Sequence, residues 1–195
     1  MSTGIRGLLL CGGGALRFGA EKLLADVDGQ PLVSWSARNL VNGAGNALAV
    51  IPPGNQALRR VLEASGCEIL ESNDTSRGIG ASLAAGVCRT PAAAGWIVAL
   101  GDMPFILPGT IALVRAKLTQ GAAIAAPALL PKGERGHPVG FGKALQRELA
   151  ALDGDEGARS VIARHADAMV LIPVDDGGIV IDVDTPGDLE QARRR

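Results

Sequence analysis

Aromatic residues are scarce in this sequence: tyrosine is absent, and phenylalanine and tryptophan together make up 3% of the chain. Proteins that bind single-stranded nucleic acid stack bases on aromatic side chains, so this composition argues against that class. Neither sign of charge is in excess, because 19 basic residues face 20 acidic ones. A near-neutral chain has no overall attraction to nucleic acid or to an anionic membrane surface, so an anion site must be a local cluster of cations.

Long apolar runs and paired cysteines are missing as well. No hydrophobic stretch approaches the ~20 residues of a membrane span, and the N-terminal residues lack the layout of a signal peptide. The three cysteines, Cys11, Cys67 and Cys88, are odd in number, far apart and without metal-binding spacing. We therefore expect reduced thiols in a cytoplasmic protein that binds neither membrane nor nucleic acid.

The most informative stretch runs from Gly7 to Leu24, GLLLCGGGALRFGAEKLL. Its apolar run predicts a buried strand, and the glycines after it let the backbone approach a phosphate group. Two cations follow: Arg17 can fork onto phosphate oxygens, and Lys22 can act as a point charge on them. The spacing is neither that of a Walker A sequence nor that of a dinucleotide-binding loop. The stretch predicts a phosphate-binding loop, with a turn carrying two solvated cations as the alternative.

Apolar runs alternate with helical patterns along the chain, which predicts a mostly parallel sheet covered by helices on both faces. The length of 195 residues and a hydrophobic content of 47% suit a single domain, 1–195. We expect a Rossmann-like three-layer α/β/α sandwich and an irregular segment at 127–142. The predicted strands are Leu8–Cys11, Ala47–Ile51, Cys67–Leu70, Trp96–Leu100, Ala122–Ala126, Met169–Val174 and Ile179–Val183.

Two acidic positions follow predicted strands. Asp102 comes after Trp96–Leu100, and Asp184 comes after Ile179–Val183, with Asp182 two residues earlier. Ligands of parallel sheets bind beyond the carboxyl ends of the strands, so both positions are expected beside the glycine loop. Carboxylates next to a cationic loop suit Mg²⁺ held between the protein and a polyphosphate. An Asx turn at Asp102 and a helix N-cap at Asp184 are the structural alternatives.

Seven sequence pieces occur in one order: LLLCGGGALRFGAEKLL, GQPLV, GASLAAG, LGDMPF, RGHPVGF, GDEGAR and DVDTPGDL. Together they resemble the MobA-like NTP transferases, a family that attaches nucleotides to molybdopterin, over nearly the whole chain. The resemblance implies a fold of the nucleotide-diphospho-sugar transferase type and Mg²⁺ as the cofactor. It implies catalytic roles for Lys22, Asp102 and Arg17, and metal binding by Asp102 and Asp184. The nucleotide-binding residues that it implies are Cys11, Gly12, Gly13, Gly14, Arg17, Lys22 and Ser82.

Cytidylyl and guanylyl enzymes differ within this family, and the sequence resembles both. The short spacing between Gly19 and Lys22, the helix start at Ser82, RGHPVGF and GDEGAR look like the cytidylyl type. The pair Gly12-Gly13 looks like the guanylyl type, because cytidylyl members usually carry Ala-Ala-Gly after the first strand. The cytidylyl features lie in separate parts of the chain and agree, so we expect CTP as the nucleotide, with GTP as the alternative.

The resemblance implies molybdopterin or its molybdenum-loaded form as the acceptor, with pyrophosphate as the second product. Arg135, His137 and Arg159 are the candidate acceptor-binding residues. A structural role is an equal alternative for His137. Asp155 is a candidate for holding the GDEGAR loop, which leads to Arg159, in shape. Transfer to a sugar or alditol phosphate and a non-catalytic role in cofactor delivery remain as other functions. A transient contact with a molybdoenzyme or its chaperone is a further expectation.

Overall fold

One large sheet lies between two layers of helices in the computed structural model, which describes residues 4–12, 20–183 and 188. The strands of the chain are β1 (Ile5–Leu10), β2 (Asp26–Val27), β3 (Gln30–Pro31), β4 (Ala47–Ile51), β5 (Glu68–Glu71), β6 (Gly95–Leu100), β7 (Ile124–Leu129), β8 (Glu134–Arg135), β9 (Val139–Gly142) and β10 (Met169–Val174). Its α-helices are α1 (Ala20–Leu23), α2 (Leu32–Ala44), α3 (Gln56–Ala64), α4 (Ile79–Arg89), α5 (Pro108–Thr119), α6 (Gln146–Ala150) and α7 (Arg159–Arg164). Short 3₁₀ helices span Asn73–Arg77, Lys143–Leu145, Ala166–Ala168 and Gly177–Val180.

The large sheet has the strand order β10-β7-β9-β6-β1-β4-β5, with β8 attached to β7, while β2 and β3 form a separate hairpin. β1 pairs in parallel with β4 and β6, β4 pairs in parallel with β5, and β7 pairs in parallel with β10. β9 is inserted between β6 and β7 and is antiparallel to both. The predicted α/β class with a mostly parallel, helix-covered sheet is therefore confirmed.

Apolar cores fill both faces of the sheet. Because neighbouring side chains of a strand point to opposite faces, β1 contributes Leu9 to one core and Leu8 and Leu10 to the other. Helices α2, α3 and α5 cover the Leu9 face, and α4, α6 and α7 cover the other. Burial on both faces explains why the inner parallel strands β1, β4, β6 and β7 are mostly continuous apolar runs in the sequence. Within the described residues, no helix combines the length and the hydropathy needed to cross a membrane.

Two predicted segments differ from the structure. The segment 127–142 is not irregular throughout, because β9 lies inside the sheet. β9 is short and half glycine; at Gly140 a Cβ atom would lie 2.7 Å from Val114 Cγ1, so the glycine lets α5 pack closely. The predicted strand Ile179–Val183 is wrong, since a 3₁₀ helix ends at Val180 and 181–183 have no regular structure. Its apolar residues serve the core instead: Ile179 and Val183 are both buried.

Asp176 ties the chain after β10 to the start of α5. Its Oδ2 accepts hydrogen bonds from Thr110 Oγ1 at 2.6 Å and from Leu107 N at 3.0 Å. Its Oδ1 accepts a hydrogen bond from Gly178 N at 3.1 Å. These three donors offset the cost of burying the carboxylate, which is 5% exposed. The contact fixes the path that the chain takes back toward the carboxyl ends of the strands.

Candidate functional site

The carboxyl ends of β1 and β6 meet at one edge of the sheet. Leu10 and Leu100 are partners in the parallel register, and Gly101 N donates a hydrogen bond to Leu10 O at 3.0 Å. The residues that follow the two strands, Cys11 and Gly101, therefore lie side by side, and Gly12 and Asp102 come next in the sequence. This neighbourhood is the one that the sequence predicts for a ligand beyond a parallel sheet.

Lys22 and Asp102 form an ion pair at this edge. Lys22 is on α1, and its Nζ lies 3.1 Å from Asp102 Oδ2. Both side chains are largely withdrawn from solvent, with 9% of Lys22 and 20% of Asp102 exposed. Reduced solvent screening strengthens the attraction between the two charges. Two residues that the sequence singled out separately are thus in direct contact.

The turn that carries Asp102 is held from several sides. Ser36 Oγ donates a hydrogen bond to Gly101 O at 2.9 Å, and Val183 N donates one to Asp102 O at 3.0 Å. At Gly101 a Cβ atom would lie 3.1 Å from Cys11 Sγ, so the turn packs closely on the end of β1. The chain at Val183 thus runs beside Asp102. Four predicted site residues lie outside the described residues: Gly13, Gly14, Arg17 and Asp184.

Cys11 and Ser82 lie beneath the start of the glycine loop. Cys11 N donates to Val50 O at 3.0 Å, and burial is the main cause that raises the pKa of the Cys11 thiol well above its usual value. The thiol therefore stays protonated at neutral pH. Ser82 is fully buried, and its Oγ donates a hydrogen bond at 2.9 Å to the carbonyl oxygen of Gly78, the residue just before α4. Both side chains are engaged in the fold, so a nucleotide contact from Cys11 would use its backbone carbonyl.

Gly12 is enclosed by a residue that the sequence analysis missed. A Cβ atom at Gly12 would lie 2.7 Å from Thr75 Cβ, 2.9 Å from Thr75 Cγ2 and 3.3 Å from Ser82 Oγ. Thr75 is 1% exposed, and its Oγ1 donates to Ser72 O at 2.8 Å. Its sequence neighbours are polar, which predicts a solvent-exposed loop. No signal in the sequence shows that this threonine faces the first glycine of the loop.

A cavity of about 260 Å³ opens beside this edge, on the α4 face of the sheet. Its apolar wall includes Leu10, Leu83, Leu100, Phe141 and Ile162. Its polar lining residues are Arg135, His137, Asp155, Glu156 and Arg159. The three candidate acceptor-binding residues therefore line one cavity, together with Asp155.

His137 reaches the site because β9 is antiparallel to β6. Val139 pairs with Val98, so the residues before Val139 lie at the same edge as those after β6. His137 N donates to Ile179 O at 2.9 Å, while its buried Nδ1 has no hydrogen-bond partner within the described residues. Burial is the main cause that lowers the pKa of His137 below 6.5, and Arg135 lowers it further. Asp102, the Val98 backbone and Asp182 oppose that shift, so the imidazole lies within the field of Asp102 and is neutral at pH 7.

Candidate metal ligands are sparse in the described residues. No group of three or more His, Cys, Asp or Glu side chains there is arranged to hold a metal ion. Asp102 is a carboxylate that follows the central strand β6, at the edge where the sequence predicts a ligand. A metal bound at this position would need most of its ligands from water or substrate oxygens, which is how Mg²⁺ is usually bound.

Comparisons with known proteins agree with this architecture. The family model of the MobA-like NTP transferase domain matches residues 7–169. No curated protein sequence matches the chain. Among solved structures, Rv0371c of Mycobacterium tuberculosis H37Rv in complex with manganese is 24% identical, with a TM-score of 0.80 and full coverage of both chains.

Two further solved structures share the fold at lower identity. The molybdopterin-guanine dinucleotide biosynthesis protein A of Archaeoglobus fulgidus is 20% identical, with a TM-score of 0.66 and 97% coverage of each chain. The 4-diphosphocytidyl-2C-methyl-D-erythritol synthase of Anaerococcus prevotii DSM 20548 is 13% identical, with a TM-score of 0.70. That alignment covers 98% of this chain and 97% of the synthase.

Proposed function

Because the chain belongs to the MobA-like NTP transferase family and is thus a nucleotidyltransferase, we propose that it transfers CMP from CTP to molybdopterin and releases pyrophosphate. The observation that carries the proposal is the ion pair between Lys22 and Asp102, 3.1 Å long, at the edge where β1 and β6 end. A cation for phosphate oxygens and an acid for a metal ion are the two charges that this reaction needs. Both lie at the edge of the sheet where β1, the strand before the glycine loop, ends.

The chemistry is an in-line displacement at phosphorus. A terminal phosphate oxygen of the acceptor attacks the α-phosphorus of CTP, a new P–O bond forms, and the bond to the β-phosphate oxygen breaks. Pyrophosphate takes the electron pair of that bond. The nucleophile is already anionic near neutral pH, so the protein has no need of a strong general base. Its task is to position the reactants and to stabilise negative charge.

Lys22 is the proposed stabiliser of that charge. Its Nζ contacts Asp102 in the turn after β6, the strand next to β1. Its side chain is mostly shielded from water, and a fixed cation interacts strongly with phosphate oxygens in such surroundings. Arg17, from the adjoining part of the loop, is proposed to share the role. In the proposed complex, Lys22 exchanges its contact with Asp102 for a contact with phosphate.

Asp102 is the proposed ligand of Mg²⁺, with Asp184 as a second ligand. The donor set fits, since an acid at a strand end can hold Mg²⁺ while phosphates and water fill the remaining positions. The metal would neutralise charge on the phosphate groups. The manganese complex of Rv0371c supports a divalent ion in this fold. Val183 N donates a hydrogen bond to Asp102 O at 3.0 Å. This contact brings the residue before Asp184 to the same edge of the sheet.

CTP is the proposed nucleotide, and the surroundings of Gly12 bear on that choice. A glycine here would favour the larger guanine if it left open space. Thr75 occupies that space instead, with Cβ and Cγ2 at 2.7 and 2.9 Å from the position of an added methyl group. The argument for GTP from the glycine pair is therefore weakened, while the cytidylyl-type features elsewhere in the chain stand. We expect kcat/KM for CTP to exceed that for GTP by at least ~10-fold, or ~1.4 kcal/mol.

The proposed acceptor site is the cavity on the α4 face. Arg135 and Arg159 line it and suit the phosphate of molybdopterin, because guanidinium groups fork onto phosphate oxygens. Its apolar wall suits a flat, partly apolar ring system. His137 also lines the cavity, and the negative charge of Asp102, the proposed metal ligand, raises the pKa of His137 against the effect of burial. We also propose that the reaction occurs in the cytoplasm, the compartment in which cysteine thiols stay reduced.

A competition assay tests the proposal. Purified protein receives CTP and GTP together with molybdopterin and Mg²⁺, and the products are separated by mass. Predominant cytosine dinucleotide is the expected result. Predominant guanine dinucleotide would overturn the choice of base, and transfer to a sugar or alditol phosphate would overturn the acceptor. Binding of nucleotide without Mg²⁺-dependent pyrophosphate release would instead indicate a delivery protein.

A further inference from the structure

The start of α4 is packed directly against the loop Asp153–Gly157. Gly80 N donates a hydrogen bond to Gly154 O at 2.8 Å. At Gly80 a Cβ atom would lie 2.6 Å from Asp153 O. At Gly78 a Cβ atom would lie 2.4 Å from the carbonyl carbon and oxygen of Gly154 and 2.6 Å from Asp155 Oδ1. Gly78 also has a φ of +121°, a conformation that favours glycine.

An ion pair joins the same two segments beside this contact. Arg77 Nη2 lies 2.7 Å from Asp153 Oδ2. The same guanidinium contacts Asp74 within its own segment, with Nη1 at 3.0 Å from Asp74 Oδ1. Among the described residues, Arg77 therefore has two carboxylate partners, of which Asp153 belongs to the other segment. All three side chains are solvent-exposed, which limits the strength of each pair.

The two joined segments reach the two proposed substrate sites. On one side, Thr75 packs against Gly12 at the start of the glycine loop. On the other side, the loop after Asp153 continues into Glu156 and Arg159, which line the cavity. A displacement of the loop relative to α4 would therefore change the position of Arg159 at the acceptor cavity.

We infer that Arg77 and Asp153 are positioning residues for the acceptor: their ion pair holds the loop Asp153–Gly157 on the start of α4, so that Arg159 faces the cavity. Neither residue touches the reacting atoms. The inference rests on the proposed function, because the acceptor is assigned there. It goes further by making acceptor affinity depend on a contact to the segment beside the nucleotide loop.

Two matched variants test the inference. In the wild type, Gly154 N donates a hydrogen bond to Asp153 Oδ1 at 2.8 Å. Asp153→Asn removes the charge that pairs with Arg77 but keeps an oxygen that can accept this hydrogen bond. Asp74→Asn removes the other partner of the same guanidinium without touching the loop. Asp153→Asn should raise the KM for molybdopterin about three- to fivefold, within the range of an exposed ion pair. It should leave kcat and the KM for CTP unchanged, and Asp74→Asn should match the wild type.

A conservative change and a second readout complete the test. Asp153→Glu should recover part of the acceptor affinity, because it restores the charge. Amide hydrogen exchange at residues 154–159 should be faster in Asp153→Asn than in Asp74→Asn. An acceptor KM that changes less than 1.5-fold in Asp153→Asn, or equally in both variants, would overturn the inference.

Failure of the proposed function has a separate signature. If the wild type makes no dinucleotide from molybdopterin, the acceptor assignment fails, and the exchange experiment alone decides whether the pair positions the loop. Faster exchange confined to Asp153→Asn then supports positioning, and equal exchange in both variants overturns it.

Discussion

Lys22 Nζ and Asp102 Oδ2 lie 3.1 Å apart although the two residues are separated by 80 positions in the sequence. The contact joins α1 to the turn after β6, across the end of β1. In the proposed reaction the two charges part, since the lysine moves to phosphate and the acid to a metal ion. The ion pair thus holds the two side chains next to each other in the substrate-free protein.

Replacement of Lys22 tests its role in charge stabilisation. Lys22→Ala should lower kcat by ~10²-fold or more, the scale of losing one electrostatic stabiliser, while the fold persists. Lys117→Ala on α5 is a matched control, because that lysine lies outside the site and contacts Gln120 on the protein surface. Steady-state kinetics at saturating CTP and a melting curve give the comparison. Turnover near that of the wild type would rule out the role.

Replacement of Asp102 tests the metal site. Asp102→Ala should abolish turnover that depends on Mg²⁺, because the acid at the strand end is lost. The same change leaves the mostly buried Lys22 without this carboxylate, which costs stability. Asp102→Asn is therefore needed beside it, as a variant of nearly the same shape. Activity is measured as a function of Mg²⁺ and Mn²⁺ concentration. If both variants keep the activity and metal dependence of the wild type, Asp102 has only a structural role in the turn.

The sequence correctly predicted those strands and site residues whose evidence lies in the neighbouring residues of the chain. Six of the predicted strands are present, and both ends of each lie within three residues of the observed bounds. The inner strands among them are easy to recognise, because strands buried on both faces are apolar runs. Lys22 and Asp102 stood out because each follows a strand or a glycine loop. β9 and Thr75 did not, since the role of each depends on a partner far along the chain: β9 on its place between β6 and β7, Thr75 on Gly12. The strand predicted at Ile179–Val183 was wrong for a related reason. Ile179 and Val183 are apolar because they are buried in the core, although the segment forms no strand.

The lowered pKa of His137 predicts a pH dependence of stability. Burial is its main cause, so the folded chain binds the proton less well than the unfolded chain, whose pKa is 6.5. Between the folded value and 6.5 the unfolded chain carries more protons, and the free energy of unfolding therefore falls as the pH drops below about 6.5. Above that pH the residue makes no such contribution.

His137→Gln isolates the effect, because it removes the titration and keeps a polar side chain. Urea unfolding of both proteins at pH 7.5, 6.5 and 5.5 gives the free energies of unfolding. The wild type should lose more stability than the variant between pH 6.5 and 5.5. Parallel losses in the two proteins would show that His137 does not titrate as described.

The space around Gly12 gives the last prediction. Gly12→Ala should destabilise the protein by about 1–3 kcal/mol, because the new methyl group overlaps Thr75 and the surroundings are already packed. Adding Thr75→Ser removes the Cγ2 atom that lies 2.9 Å away and should recover part of the loss, although the contact with the remaining Cβ persists. Gly109→Ala on α5 is the control, since nothing lies within 4 Å of its added Cβ.

Melting curves of the three variants measure stability, and the ratio of kcat/KM for CTP and GTP measures base choice. The double variant should retain the preference for CTP, because the alanine methyl takes up space that Thr75 gives up. If Gly12→Ala is as stable as Gly109→Ala, Thr75 does not fill the space beside Gly12; if the double variant turns to GTP, the base is read there in a way that this packing does not explain.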